Sequence, residues 1–242
     1  MLQVTDVSVS FGGLKALDSL SFHVEQGEIL GMIGPNGSGK STAFNVVTGT
    51  LKSRSGSVVF DGEDITGLAS HQIAHRGIGR TFQVVRPFPH LTAIENLMVG
   101  RLFGGKGDRK TEEGVSAAMS ILEEIGLADK AQRKAGSFTI LERKWLEVGR
   151  ALAGRPKLVL LDEFMAGISA SEVHHAVDLV KSINASGVTV ILVEHIVKAI
   201  TEACNRVIVL DAGRKLAEGT VAEIVSNPEV IEAYLGSRHA GG

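Results

Sequence analysis

The chain is poor in several things that define whole classes of protein. It has a single cysteine, Cys204, in 242 residues. That excludes an internal disulfide and any cysteine-built zinc site, and makes the cytosol the simplest compartment. It has no excess of either charge, since 25 Lys+Arg against 27 Asp+Glu give a formal net charge of −2. A nucleic-acid binder relying on bulk positive charge is thereby excluded, though a local patch is not. Long apolar runs are missing too. Leu158–Leu161 and Val190–Val193 fall far short of the ~20 residues a membrane helix needs. The opening residues, Met1 to Asp6, carry no basic stretch and no long apolar one, so no targeting segment is expected. The expectation is a soluble chain whose membrane role, if any, comes through a partner. Aromatics are scarce at 5%, whereas 29 glycines are scattered among apolar runs, which suits tight turns and close backbone approaches. With 44% hydrophobic and 21% charged residues, disorder is excluded.

What is present reads as an α/β chain. Val4, Val7 and Val9 lie in a β-rich stretch, and Val58–Phe60 runs into the turn dipeptide Asp61-Gly62. Glu28–Ile33, Lys157–Leu161 and Val188–Val193 are apolar on consecutive positions, as parallel strands covered on both faces are. Arg206–Leu210 and Lys215–Ala217 flank Asp211-Ala212-Gly213 and read as a hairpin. The middle differs. Val115, Ala118, Met119, Leu122 and Ile125 recur at helical spacing, and Ser137 to Leu152 suits a second helix. A helical subdomain is therefore expected at about residues 89–152, inserted into a core of about 1–88 and 153–242, with Gly104–Asp108 as a mobile loop.

Gly34-Pro35-Asn36-Gly37-Ser38-Gly39-Lys40-Ser41-Thr42 matches G-x-x-x-x-G-K-[ST] and follows the strand expected at Ile29–Ile33. Glycines let successive amides curl around a phosphate with no Cβ in the way, and the helix that follows points its positive end at the anion. Lys40 is expected to reach the β/γ-phosphates of a nucleotide, and the Ser41 hydroxyl to ligate Mg²⁺. Far downstream, Leu158–Leu161 ends in Asp162-Glu163, resembling a Walker B segment. Asp162 would hold the magnesium, usually through water, and Glu163 would polarise the attacking water as general base.

No Asn-Lys-x-Asp guanine-reading motif is present, which disfavours a GTP-binding protein. Glu163 beside Asp162 suits activation of water and disfavours a small-molecule kinase. Gln83 lies 43 residues after Lys40 in Gly79-Arg80-Thr81-Phe82-Gln83, and His195 lies 32 residues after Glu163. Over essentially its whole length the sequence now resembles the nucleotide-binding subunits of ABC transporters. It is most similar to the branched-chain amino-acid importer ATPases, through Phe11–Leu17, Gly79–Gln83, Leu91–Leu97 and the tail Asn227–Gly236. The resemblance implies a P-loop (RecA-like) core, an antiparallel β subdomain and an inserted α-helical subdomain. It implies ATP and Mg²⁺ as cofactors. Gln83 would contact Mg²⁺ and the attacking water, and His195 would contact the γ-phosphate. Phe11 stands where the family stacks an aromatic on adenine, although a Phe near a strand end is as readily core. The partners implied are integral-membrane permease subunits, a second ABC ATPase in a homo- or heterodimer, and indirectly a solute-binding protein, with no nucleic acid. The location implied is peripheral, on the cytoplasmic face of the cell membrane.

The sequence departs from the family in one place above all. The signature Leu-Ser-Gly-Gly-Gln, which completes a partner's nucleotide site, falls on Phe138-Thr139-Ile140-Leu141-Glu142. Thr139 keeps a hydroxyl and stands at capping-box spacing from Glu142. Leu141 replaces a glycine, and Glu142 brings a negative charge costing on the order of a few kcal/mol against a nearby phosphate. Phe164, Ser169 and Ile196 also replace the family's usual Pro, Asp or Asn, and Asp. These departures suggest an asymmetric heterodimer, in which the chain receives a normal signature and offers a poor one. The duller reading is that Thr139 and its helix suffice and both sites fire. The rival functions are a lipid or lipopolysaccharide exporter ATPase, a non-transport ABC ATPase, and a regulator that binds ATP without hydrolysing it. Val84–Pro89 is either the face read by the permease or a loop covering its own core.

Overall fold

In the computed structural model, which describes residues 1–82, 87–104 and 112–239, strands dominate the start of the chain. They are β1 (Leu2–Phe11), β2 (Leu14–Val24) and β3 (Ile29–Ile33), followed by α1 (Lys40–Val47), β4 (Ser55–Phe60) and β5 (Glu63–Asp64). Next come α2 (Ser70–His75), β6 (Ile78–Arg80), α3 (Ala93–Phe103), α4 (Glu112–Glu124), α5 (Ile140–Ala153), β7 (Leu158–Asp162) and α6 (Ala170–Ala185). The chain closes with β8 (Thr189–Val193), α7 (Val197–Ala203), β9 (Arg206–Asp211), β10 (Arg214–Gly219), α8 (Val221–Val225) and α9 (Pro228–His239). These elements form two units, Met1–Ser70 with Thr189–Gly242, and His71–Val188.

The first unit holds an antiparallel sheet of order β2-β1-β4-β5. Its strands alternate, so Val7, Val9, Leu17, Leu20, Val58 and Phe60 are buried, as a sheet with one covered face requires. The same unit holds β3 between two parallel neighbours, β8 and β9, with β10 antiparallel to β9. Every residue of β8 is buried, and β3 is buried except at its last residue. That is the two-sided cover expected from their unbroken apolarity. The Arg206–Ala217 hairpin is present, with Arg214 facing Asp211.

The second unit pairs β6 with β7 in parallel, Arg80 opposite Leu160. Three helices, α3, α4 and α5, pack together beside them. Gly100 on α3 makes this packing possible, because a Cβ there would lie 2.4 Å from the Arg150 carbonyl oxygen. On α4 the buried line is Gly114, Ala118 and Leu122. Val115, expected on that face, is 43% exposed, since the helix turns its smallest residue inward instead. The expected helix from Ser137 starts at Ile140. Ala135–Ser137 forms a 3₁₀ turn, and a Thr139–Glu142 capping box begins the α-helix afresh. Gly104 closes α3, while the rest of the expected mobile loop, Gly105–Asp108, lies outside the described residues.

Candidate active site

Residues 34–42 lie between the end of β3 and the first turn of α1. Gly39 caps the helix with φ 106° and gives no side-chain cap, so the first-turn amides are left for another acceptor. Glycine is required there, since a Cβ would lie 2.7 Å from the Ala16 carbonyl oxygen and 2.8 Å from a Leu17 methyl. The loop is locked to the β9–β10 turn, because the Gly213 N–H donates to the Ser38 carbonyl at 3.0 Å. Lys40 is buried, and its ammonium donates to the carbonyls of Gly34 at 2.8 Å and Pro35 at 2.9 Å. Asn36, Gly37 and Ser41 are exposed, Pro35 and Thr42 are half-buried, and Ser38 is buried. An exposed rim of amides and hydroxyls thus surrounds a cation held from beneath, an arrangement complementary to a polyphosphate.

Three further residues belong to the same unit. Phe11 ends β1 and pairs with Leu14 across the Gly12-Gly13 turn. It is 54% exposed, so the core reading for it falls. His195 is exposed and follows the buried Glu194 at the end of β8. It lines an apolar cavity of about 300 Å³ together with Tyr234 of α9. The Tyr234 hydroxyl accepts from the Gly34 amide, and burial pushes its pKa up. This link to the phosphate loop went unassigned in the sequence, where the one tyrosine of the chain is the available signal.

The acidic pair sits at the end of β7. Asp162 is buried, and its carboxylate accepts from Arg80 Nη2 at 3.0 Å. Its amide donates to Thr81 Oγ1 at 3.1 Å, and the Thr81 amide in turn donates to the Leu160 carbonyl. Glu163 is half-buried at φ 48°, a left-handed conformation that non-glycine residues adopt at a cost and that clusters at functional sites. The donor chemistry suits magnesium. A buried carboxylate oxygen is the kind of hard ligand that ion takes, one or two at a time, filling its remaining positions with phosphate and water. Among the described residues no group of three or more His, Cys, Asp or Glu is arranged for a metal. Gln83 lies outside the described residues, as do Val84, Val85 and Arg86.

The stretch expected to stand for the signature has a sound local structure. Thr139 Oγ1 accepts from the Glu142 amide at 3.2 Å, and the Glu142 carboxylate accepts from the Thr139 amide at 2.7 Å. Lys130 lies 3.0 Å from that carboxylate. The Thr139 amide and Lys130 together hold the Glu142 carboxyl below its usual range. The negative charge feared at Glu142 is therefore already balanced within the chain. Ile140 is 76% exposed. Leu141 turns with Trp145 into a groove of about 440 Å³ against α6. Two of the other departures have local reasons, and the third, Ile196, has none in the structure. Phe164 is buried edge-to-face under Trp145, ring centroids 5.8 Å apart, Ser169 caps α6 with Glu172, and Ile196 stands at the N-cap of α7.

The sequence profile described as ABC transporter matches residues 17–166. The high-affinity branched-chain amino acid transport ATP-binding protein BraF of Pseudomonas aeruginosa is 38% identical, with 98% of each chain covered. The chain belongs to the ABC transporter ATPase family. Residues 214–240 also match the profile of the branched-chain amino acid ATP-binding cassette transporters. The LivG proteins of Methanocaldococcus jannaschii, a probable branched-chain amino acid transport ATP-binding protein, and Escherichia coli, a high-affinity one, are each 36% identical over 98% of this chain. The ADP conformation of MJ1267, an ATP-binding cassette of an ABC transporter, superposes with a TM-score of 0.89 at 35% identity, 98% of each chain covered. A dimeric post-hydrolysis cassette, MJ0796 bound to ADP and phosphate, gives 0.82 at 26% identity over 91% of this chain and 99% of that one. The fold is the ABC ATPase fold, and the protein is an ABC ATPase that binds ATP and couples its hydrolysis to transport.

Proposed function

We propose that this ABC ATPase powers the uptake of branched-chain or related amino acids. Its partners on this reading are integral-membrane permease subunits at the cytoplasmic face of the cell membrane, with a solute-binding protein acting indirectly. The observation that carries the reading is the phosphate loop, whose buried Lys40 and uncapped α1 await a polyphosphate. The substrate class is supported by the relatives' names and by the match over residues 214–240. No helix among the described residues is long and apolar enough to cross a membrane, which agrees with peripheral attachment.

The roles follow residue by residue. The amides of Gly34–Thr42 wrap the β-phosphate and Lys40 neutralises the β/γ oxygens. Phe11 offers an exposed ring to the adenine. Ser41, Asp162 and Gln83 would hold a magnesium ion. The ion, when bound, offsets charge that builds on the phosphates. Glu163 takes a proton from the attacking water, and His195 stabilises the γ-phosphate as its bond breaks. The helical stretch at about residues 89–152 and the adjoining Val84–Pro89 face the permease.

A second ABC ATPase subunit completes the machine, with Thr139–Glu142 as a weak signature toward it. The test is ATP turnover of the purified chain alone and after co-expression with a second cassette subunit, with Glu163→Gln as control. Slow turnover alone, stimulation by the partner, and a loss of at least about 10²-fold in Glu163→Gln are expected. Cooperative hydrolysis by the isolated chain would remove the heterodimer, and full turnover by Glu163→Gln would remove the general base.

A further inference from the structure

The second unit contains a chain of contacts that starts at Asp162 and runs through residues the reaction as described leaves unused. It begins at Asp162, where Arg80 Nη2 meets Oδ2 at 3.0 Å, the two side chains only 9% and 4% exposed. The same guanidinium lies 5.2 Å from the centre of the Phe82 ring. The Phe82 amide donates to Glu147 Oε1 at 2.9 Å, and Glu147 is itself buried on α5. Arg150, one turn further along α5, lies 4.0 Å from Glu147 and 5.4 Å from the centre of the Phe88 ring. Phe88 is fixed in turn by Asn96, which takes its amide at 2.8 Å and gives to its carbonyl at 3.2 Å. Both flanks of the stretch carrying Gln83 are therefore anchored, and one anchor leads directly to Asp162.

Two cations cannot hold one carboxylate with full strength. A guanidinium bonded to a buried carboxylate lowers the negative potential that a divalent ion would find there, and the ion lowers the hold that the guanidinium keeps. We propose that Arg80 shares the Asp162 carboxylate with the magnesium ion in competition, so that arrival of the metal loosens Arg80 and is felt along the chain at Phe82. Arg80 is on this account a positioning residue. It weakens metal affinity and in return links occupancy of Asp162 to the backbone of Phe82. Its alternative role, as a strut that only keeps Asp162 in place, predicts the opposite sign for its removal. The inference rests on the reading of Asp162 as a magnesium ligand.

The experiment measures Mn²⁺ affinity by electron paramagnetic resonance on the full chain, with the non-hydrolysable imido analogue of ATP bound. Arg80→Gln is expected to tighten Mn²⁺ on the order of tenfold, and Arg80→Lys, which keeps a cation, by no more than about threefold. In an Asp162→Asn background the Arg80→Gln effect should vanish. Unchanged or weaker Mn²⁺ binding in Arg80→Gln, or equal tightening by Gln and Lys, overturns the competition. Should Asp162→Asn bind Mn²⁺ as well as the wild type, the reading of Asp162 fails instead, which keeps the two failures distinct. A second measurement needs no variant. Hydrogen exchange of the wild-type peptide spanning Ile78–Phe82, with the imido analogue present, should be faster with Mg²⁺ than with a chelator. An equal or slower rate contradicts the proposal.

Discussion

Phe164 shows how a single side chain reconciles a family departure with a sound fold. Where the family resemblance leads one to expect Pro, this protein buries an aromatic against the edge of Trp145, gaining apolar burial and a T-shaped ring pair. Phe164→Ala should cost about 3–5 kcal/mol in chemical denaturation, the range for emptying a buried aromatic site. A cost below about 1 kcal/mol would mean the ring pair is incidental. The same scale separates what the sequence discloses from what it hides. The phosphate loop is legible because its nine residues are contiguous and their types are dictated by backbone crowding. Arg80 is not legible as a partner of Asp162, because 82 residues separate them and only the β6–β7 register brings them together. Glu147 left a signal, a carboxylate among the apolar residues Leu146, Val148 and Gly149 that are buried with it, although nothing in the sequence says that it receives the Phe82 amide.

At the scale of elements, helix starts in this protein share one device. α3, α5, α6 and α8 each begin with a Ser or Thr cap and a Glu three residues on, both reciprocal bonds being made. The glutamates at 142, 172 and 223 are all held below the usual carboxylate range, chiefly by hydrogen bonds from their caps. A carboxyl lowered in the folded state stabilises it above the ordinary Glu range, and that contribution disappears as pH falls through the lowered value. Thr139→Ala should cost about 0.5–2 kcal/mol at neutral pH by removing the acceptor of the Glu142 amide, whereas Glu142→Gln should cost stability at neutral pH that shrinks in acid as the wild-type carboxylate protonates. Thermal melts between pH 7 and 3 check both. A Glu142→Gln cost that does not change with pH would detach the Glu142 charge from the cap. The capping boxes are readable from spacing alone, and they account for why α5 starts at Ile140 and not at Ser137. β6 escapes such reading, being three residues long with a glycine at its centre. Its place is decided by pairing with β7.

For the whole molecule, the sequence reveals the class of machine because the family motifs are short, chemically constrained and widely spaced in a fixed order. It does not disclose Tyr234, whose hydroxyl reaches the Gly34 amide across 200 residues of chain, because no local pattern announces a contact of that kind. The departures at Thr139–Glu142 leave the start of α5 undisturbed, and on the proposed reading their consequence falls on assembly with another subunit. All of this depends on a polyphosphate engaging the loop that Lys40 now holds through two carbonyls. Titration calorimetry with magnesium-ATP tests that claim directly. Saturable binding heat by the wild-type chain, lost or weakened at least about 10²-fold in Lys40→Ala, is the predicted result. No heat from the wild type, or equal heat from both proteins, would contradict it.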